Sequence, residues 1–398
     1  MDHRIARRVE KLAESATLKM AQIAAQLKAS GKDIISLGIG EPDFNTPEHI
    51  KNAAIAAINN NITHYPPVSG FPDLRKAIVQ KYLRDYGLEY TSSQVVVSSG
   101  AKQSISNALL VLLEEGDEII VPAPYWVSYP DMIKLTDASM VTIQTTVEQG
   151  FKITPQQLEA AITPKTRILL LNSPSNPSGS IYSSEDLEAF AVVLRKYPNI
   201  YILSDDIYEY INYKCASATI AQCQGMFDRS IIVNGVSKGY AMTGWRIGYM
   251  LAPANIAKAC DKLQGHLTSA ACSISQMAAL EALKSDNSSV IKMVEQFRKR
   301  RDLVAEKLAL IPDIKFQVPD GAFYFFIDIS GYFGKSYQNY TINSADIMAE
   351  FMLEHGGVSL ISGSAFGVDE CVRISYAASE VLLLKACDRM KNTLALLK

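Results

Sequence analysis

The chain has 398 residues, 48% of them hydrophobic and 20% charged, with a formal net charge of −2. This is an ordinary globular composition, long enough for two domains and a large core, and it offers no bulk attraction to nucleic acid or an anionic membrane. No apolar run is long enough to span a bilayer and no charged-then-apolar leader occupies residues 1–10, so a cytoplasmic location is expected. The six cysteines (Cys215, Cys223, Cys260, Cys272, Cys371 and Cys387) lack C-x-x-C spacing, which argues against a zinc site or a disulfide framework and for free thiols.

Residues 5–30 have helical apolar spacing, with Leu18, Ile23 and Leu27 on one stripe and Gly31 as a stop. A short strand over 33–40 runs into the turn G-I-G-E-P-D-F. Its G-x-G is not a dinucleotide fingerprint, because Asp43 stands where the third glycine belongs and Pro42 would not open the required helix. A helix over 47–59 and a proline-rich loop over 63–72, holding Tyr65, come next. The strand over 95–99 is followed by Gly100-Ala101-Lys102-Gln103, opening a helix to residue 115, and a helix start presents unpaired N–H groups that suit a phosphate. After the strand 117–122 comes P-A-P-Y-W-V-S-Y-P, whose Trp126 by itself reads as a core aromatic.

A turn and helix over 150–163 lead to the strand 167–171 and the loop N-S-P-S-N-P-S-G, which presents two asparagine amides at a strand end. A helix over 183–197 and a strand over 200–204 precede S-D-D-I-Y-E. Clustered acids suggest a metal, but no histidine lies near and the spacing matches no ion loop, so no metal is expected; Asp206 and Glu209 read as solvated or structural acids.

The stretch 230–249, S-I-I-V-N-G-V-S-K-G-Y-A-M-T-G-W-R-I-G-Y, organises the rest. A buried strand over 230–233 ends at Asn234-Gly235, Ser237-Lys238 follows at once, and Arg246 falls in a second apolar segment, 245–250, which no helix precedes and which therefore pairs antiparallel. An isolated S-K dipeptide usually puts its lysine in solvent. A lysine at a strand end can instead condense with an aldehyde cofactor if burial or positive charge depresses its amine pKa, and a nearby serine and arginine could hold a phosphate.

The remainder is helical over 255–284, with a break within 264–275, and over 288–310. A smaller unit follows, with strands at 314–318, 321–329, 358–360 and 371–376 and helices at 344–355 and 379–397. The aromatic loop 330–341 has no evident function. Arg373, charged within an apolar strand, either faces solvent or offers a bidentate guanidinium to a carboxylate. Strand–loop–helix repeated, with the distinctive residues after strands, describes an α/β chain with a mostly parallel sheet and a site at the strands' carboxyl ends.

G-E-P-D-F, S-G-A-K-Q, P-Y-W-V-S-Y-P, N-S-P-S-N-P-S-G, S-D-D-I-Y-E, S-K-G-Y-A-M-T-G-W-R-I-G-Y, G-A-F-Y and R-I-S-Y-A occur in that order across nearly the whole chain. Together they resemble the class I aminotransferases of pyridoxal-phosphate fold type I, and most resemble the I-gamma subgroup, which holds bacterial aspartate aminotransferases. The resemblance implies a large domain over 48–290 and a small α/β domain built from 1–47 and 291–398. It implies pyridoxal 5′-phosphate as cofactor, with Lys238 as the lysine that bonds it. Ser237, Arg246 and the helix start Gly100-Ala101-Lys102 would bind the cofactor at its phosphate, Lys102 as a structural or long-range charge rather than a second catalytic amine. Trp126 would cover the ring face, Asp205 would face the ring nitrogen, and Asn176 and Tyr208 the 3-oxygen. Arg373 and Gly40 would meet the substrate α-carboxylate, beside Trp126 and Asn176. Tyr65 would reach the phosphate of a second subunit, making the protein a homodimer with shared sites.

The implied reaction is ping-pong transfer of an amino group between an amino acid, aspartate favoured, and 2-oxoglutarate. Aromatic, broad-range and prephenate aminotransferases, and a pyridoxal-phosphate lyase, are the alternatives. Some I-gamma members carry a basic residue just before an S-A-T tripeptide; here Ala13 and Glu14 precede Ser15-Ala16-Thr17, and Lys11 lies earlier. Regulators built on this fold add a DNA-binding domain, and no basic segment precedes Asp33 to suggest one.

Overall fold

The computed structural model describes residues 5–14, 16–214 and 217–398. Cys215, Ser15 and the side chains of Ala16, Thr17 and Leu18 lie outside the described residues.

Seven strands form the central sheet, in the order Val95–Ser98, Gly248–Leu251, Ser230–Gly235, Tyr201–Asp205, Thr166–Asn172, Glu118–Pro122, Ser139–Ile143. Only Gly248–Leu251 runs against its neighbours, as its position without a preceding helix predicts. Parallel strands must be covered on both faces, and alternate residues divide accordingly. Val95, Val97, Ile232 and Leu251 pack with the helices Glu48–Asn59, Pro72–Tyr86 and Ser273–Lys284. Val96, Val121, Leu170, Leu203 and Val233 pack with Ala101–Leu112 and Ala254–Leu267. Further along the sheet, Ile120, Leu169, Leu171 and Ile202 pack with Ser184–Leu194.

A second sheet is antiparallel, in the order Ile361–Ser362, Cys371–Ser375, Tyr324–Asp328, Lys315–Phe316. The strand Ile35–Ser36 pairs in parallel with Val358–Ser359. Ile35 and Leu37 enter the core that Phe323, Phe325, Phe351 and Ile374 build, so the chain's beginning and end share one hydrophobic cluster.

Several elements depart from expectation. The continuous helix expected over 5–30 is two helices, Arg7–Glu10 and Ala16–Ala29. Between them Ala13 N–H donates to Asp131 Oδ1 at 3.3 Å and Lys11 pairs with Asp137 at 2.8 Å, partners outside any helix of this segment. The helix Pro72–Tyr86 was not anticipated; it opens on the last proline of the loop, whose missing N–H costs nothing at a first helical position. Helix Tyr129–Lys134 and edge strand Ser139–Ile143 were likewise not anticipated. Within 330–341 lies a two-stranded hairpin, Ser336–Tyr337 with Tyr340–Thr341, whose tyrosines pack on Phe351 and His355.

Candidate active site

The carboxyl ends of the parallel strands and one edge of the second sheet enclose a cavity of 330 Å³. Strand–turn junctions deliver most of its wall: Ala101 and Lys102 after the first strand, Trp126 and Ser128 after Glu118–Pro122, Asn172 and Asn176 after Thr166–Asn172, Asp205 and Tyr208 at the end of Tyr201–Asp205, Ser237 and Lys238 after Ser230–Gly235. The second sheet contributes Tyr324 and Arg373, and the turn after Ile35–Ser36 contributes Gly40.

Lys238 Nζ donates to the Gly40 carbonyl at 2.6 Å. Burial lowers its pKa to about 8, aided by the Arg373 and Arg246 charges and opposed by Glu41 and Asp205. The amine therefore has a substantial unprotonated fraction near neutrality. Asp205 is 4% exposed and burial raises its carboxyl to about 6, opposed by the Tyr129 hydroxyl, which donates to Oδ2 at 2.7 Å, and by the Ile207 N–H. Above that pH Asp205 is a buried anion fixed at the cavity floor. Asn172 Nδ2 donates to the Asp205 carbonyl and Asn172 Oδ1 accepts the Asn176 N–H, each at 2.8 Å, so the asparagine loop is tied to the strand bearing the acid.

Arg373 does not face solvent. It is 2% exposed, donates to Asn176 Oδ1 at 2.8 Å and the Gly38 carbonyl at 2.6 Å, and lies 4.5 Å from the Tyr324 ring centroid and 4.9 Å from that of Phe366. Its Nε has no partner, and no carboxylate among the described residues pairs with it. A buried guanidinium without a counter-charge is costly unless an anion meets it.

Arg246 is corrected in place: the strand begins at Gly248, and Arg246 sits before it in a left-handed turn at φ 57°. The guanidinium donates to the Thr243 carbonyl and lies so close to the start of helix Ala101–Leu112 that a Cβ on Gly100 would be 2.5 Å from Nη2. A Cβ on Gly248 would be 2.1 Å from the Ala101 nitrogen. Two glycines thus let a guanidinium and a helix N-terminus meet beside Ser237, an arrangement that suits a phosphate. Lys102 donates to Ser128 Oγ at 2.9 Å and stands 4.8 Å from the Trp126 ring centroid, consistent with a structural charge.

Tyr65, by contrast, is 97% exposed and not part of this cavity wall. Asp206 and Glu209 are buried rather than solvated: Asp206 accepts from Ser204 at 2.6 Å, and Glu209 accepts from Lys81 and Tyr86. Burial, with the charges of Glu209 and Asp205, raises Asp206 to about 7. The sequence does not single out the wall residues Asn172, Tyr324 and Thr243, nor Tyr129, which stands behind Asp205. All four stand in quoted motifs; Thr243, which donates to Glu41 at 2.8 Å, lies in the lysine segment itself. No group of side chains among the described residues could hold a metal ion, and no helix among them is long and apolar enough to cross a membrane.

A doubly covered, mostly parallel sheet with a depressed amine and a buried carboxylate at its strand ends defines a transferase of pyridoxal-phosphate fold type I. The aminotransferase class I and II family model matches residues 32–390, and the chain belongs to that family. It is 45% identical over 396 residues to an aspartate/prephenate aminotransferase of Nitrosomonas europaea, covering 98% of this chain and 100% of that one. Among solved structures, the aspartate aminotransferase of Rhizobium meliloti superposes with a TM-score of 0.96 at 42% identity, over 99% of this chain and 100% of that one. The aspartate aminotransferase of Thermus thermophilus with maleate gives 0.93 at 37%, over 98% and 100%. The protein is an aminotransferase.

Proposed function

We propose that the cavity binds pyridoxal 5′-phosphate and transfers the amino group of aspartate to 2-oxoglutarate. One observation carries this reading: a single cavity holds an amine whose pKa is lowered to about 8, a buried carboxylate and a buried guanidinium without an acidic partner. The residues fit the cofactor. The Gly100 and Gly248 cradle, with Ser237, Arg246 and the Ala101 helix start, suits its phosphate; Asp205 suits a protonated ring nitrogen; Asn176 and Tyr208 suit its 3-oxygen; Trp126 suits its ring face. When bound, the cofactor supplies an electron sink for negative charge at the substrate α-carbon.

This chain's own residues do the rest. Arg373 binds the substrate α-carboxylate with Gly40 beside it, and so fixes the α-carbon relative to Lys238. The Lys238 amine takes the α-proton and returns it one position away, a transfer that typically contributes roughly 10²–10⁴-fold. Asp205 stays charged and holds the opposing positive charge in place. Tyr65, projecting into solvent in one subunit, serves the site of a second, so the working unit is a homodimer. The large domain is 48–290, the small domain 1–47 with 291–398, and the protein acts in the cytoplasm.

The test is spectroscopic. The purified protein with pyridoxal phosphate should show a visible absorbance that borohydride bleaches, that aspartate alone changes, and that 2-oxoglutarate then restores. Release of ammonia from a single amino acid without an oxo acid, with fumarate from aspartate or pyruvate from serine, would make it a lyase instead. Prephenate is the second reading, favoured by the name of the Nitrosomonas europaea relative. Against it, and against some dicarboxylate specificity as well, Ala13 and Glu14 stand near where a basic residue is wanted for a distal carboxylate, and Lys11 is engaged by Asp137. Parallel rates on aspartate, glutamate, phenylalanine and prephenate separate the two.

Two expected results follow directly. Arg373→Lys keeps the charge but loses the fork, and should lower kcat/KM for every α-amino acid by at least roughly hundredfold, with the loss chiefly in KM. An unchanged KM would move the carboxylate site elsewhere. Capture of pyridoxal phosphate by the apoprotein requires the unprotonated Lys238 amine, so its rate should rise with pH through about 8 and level above, since below that value the nitrogen carries a proton and no free pair. Stopped-flow absorbance between pH 6 and 9.5 reads this; a rate still rising at pH 9.5, with no plateau, would show that the amine is not depressed.

A further inference from the structure

We propose that Tyr324 is a positioning residue whose hydroxyl donates to Tyr208, freeing the Tyr208 proton to point into the cavity. The inference rests on the reading in which Tyr208 faces the cofactor's 3-oxygen. The two hydroxyls are 2.8 Å apart and both residues are buried, so one donates and the other accepts.

Chemistry decides which. Between two phenols the more acidic one donates. The Arg373 guanidinium, 4.5 Å from the Tyr324 ring centroid, favours negative charge on Tyr324. Burial raises the pKa of Tyr324, and the Arg373 charge opposes that rise. Tyr208 is raised well above the usual range by burial first, then by Tyr324 and Asp205, with Arg373 opposing. Tyr324 is therefore the donor, and Tyr208 Oη accepts from it while keeping its own proton for the cavity. The reverse assignment would spend the Tyr208 proton on Tyr324 and leave the Tyr324 proton without a protein acceptor among the described residues.

The neighbouring turn is shaped to this hydroxyl. A Cβ at position 40 would lie 2.7 Å from Tyr324 Oη, so glycine leaves it room, and the Gly40 carbonyl is the acceptor for Lys238 Nζ. Tyr324 thus touches the carboxylate-binding arginine with its ring and Tyr208 with its hydroxyl.

The experiment uses holoenzyme of wild type, Tyr324→Phe, Tyr208→Phe, the double variant and Tyr324→Leu, with the pH titration of the visible absorbance as first readout. Tyr324→Phe should move the titration midpoint in the same direction as Tyr208→Phe and by less. It should lower kcat by about tenfold, the worth of one net hydrogen bond, with KM unchanged because the ring still covers Arg373. The double variant should be no worse than Tyr208→Phe, and only Tyr324→Leu should also raise KM. A wild-type titration in Tyr324→Phe, or an effect that adds in full to that of Tyr208→Phe, overturns the proposal. If Tyr324→Phe does not fold, Gly40→Ala displaces the same hydroxyl, and a wild-type titration there overturns it equally. Absence of any visible absorbance in wild type would instead refute the cofactor reading itself.

Discussion

Lys238→Ala is expected to abolish transamination while leaving the protein folded. The substitution removes a single hydrogen bond, from Nζ to the Gly40 carbonyl, made by a side chain lining a cavity rather than filling a core. Stability should therefore change little, because costly truncations are those that open a void in packed interior. Function should change by orders of magnitude. The same nitrogen is the covalent anchor for the cofactor and the group that carries the α-proton, and no second amine can replace it. Lys102, the nearest candidate, is held by Ser128 and the Trp126 ring. Loss of positioned proton transfer alone accounts for roughly 10²–10⁴-fold. Single-turnover absorbance with aspartate should show at least a roughly thousandfold fall, and the variant should fail to retain pyridoxal phosphate after borohydride and denaturation. A wild-type rate in Lys238→Ala would remove the basis for the whole mechanism.

The site residues are named by the resemblance of the quoted motifs to the family; the pattern alone shows only that they gather at strand ends, as Lys238 does after Asn234-Gly235 and Asp205 at the end of its strand. Arg246 could be named but not placed. Its segment is uniformly apolar, and nothing in the pattern marks the left-handed turn that holds it off the strand and aims it at the helix start. Tyr324 and Tyr129 were invisible for a different reason. An aromatic inside an apolar run reads as core, and only the fold shows that these hydroxyls, not their rings, meet Tyr208 and Asp205. Glu209 is the structural rather than the solvated acid of the two readings, and the sequence could not decide because its counter-charge, Lys81, lies 128 residues earlier on a helix the proline-rich loop concealed. The antiparallel pairing of Gly248–Leu251 was clearer, since it needed no information beyond the missing helix.

That hidden pair leads to the largest expected loss of stability. Lys81 is 1% exposed; its Nζ donates to Glu209 Oε2 at 2.8 Å, and the rings of Tyr82, Tyr86 and Tyr210 lie 4.6, 5.1 and 5.4 Å away. Tyr86 donates to the same oxygen at 2.6 Å, and Glu209 Oε1 has no partner at all. Two buried charges repay their desolvation chiefly through each other, so removing one is far worse than removing both. Lys81→Met leaves a buried carboxylate with a single tyrosine hydroxyl, and should lower the unfolding free energy by about 3–5 kcal/mol. Glu209→Gln should cost less, because Asp85 stands 3.4 Å from Lys81 and is partly solvated, so the ammonium keeps a counter-charge. The double variant should be more stable than Lys81→Met alone, since the orphaned charge is gone. Glu209 follows Tyr208 directly and lies four residues beyond Asp205, so the anchor holds the segment that presents both to the cavity. Urea unfolding of the four proteins checks the order. Equal losses for the two single variants, or additivity in the double, would mean that the pair is not coupled and that the segment is held by packing alone.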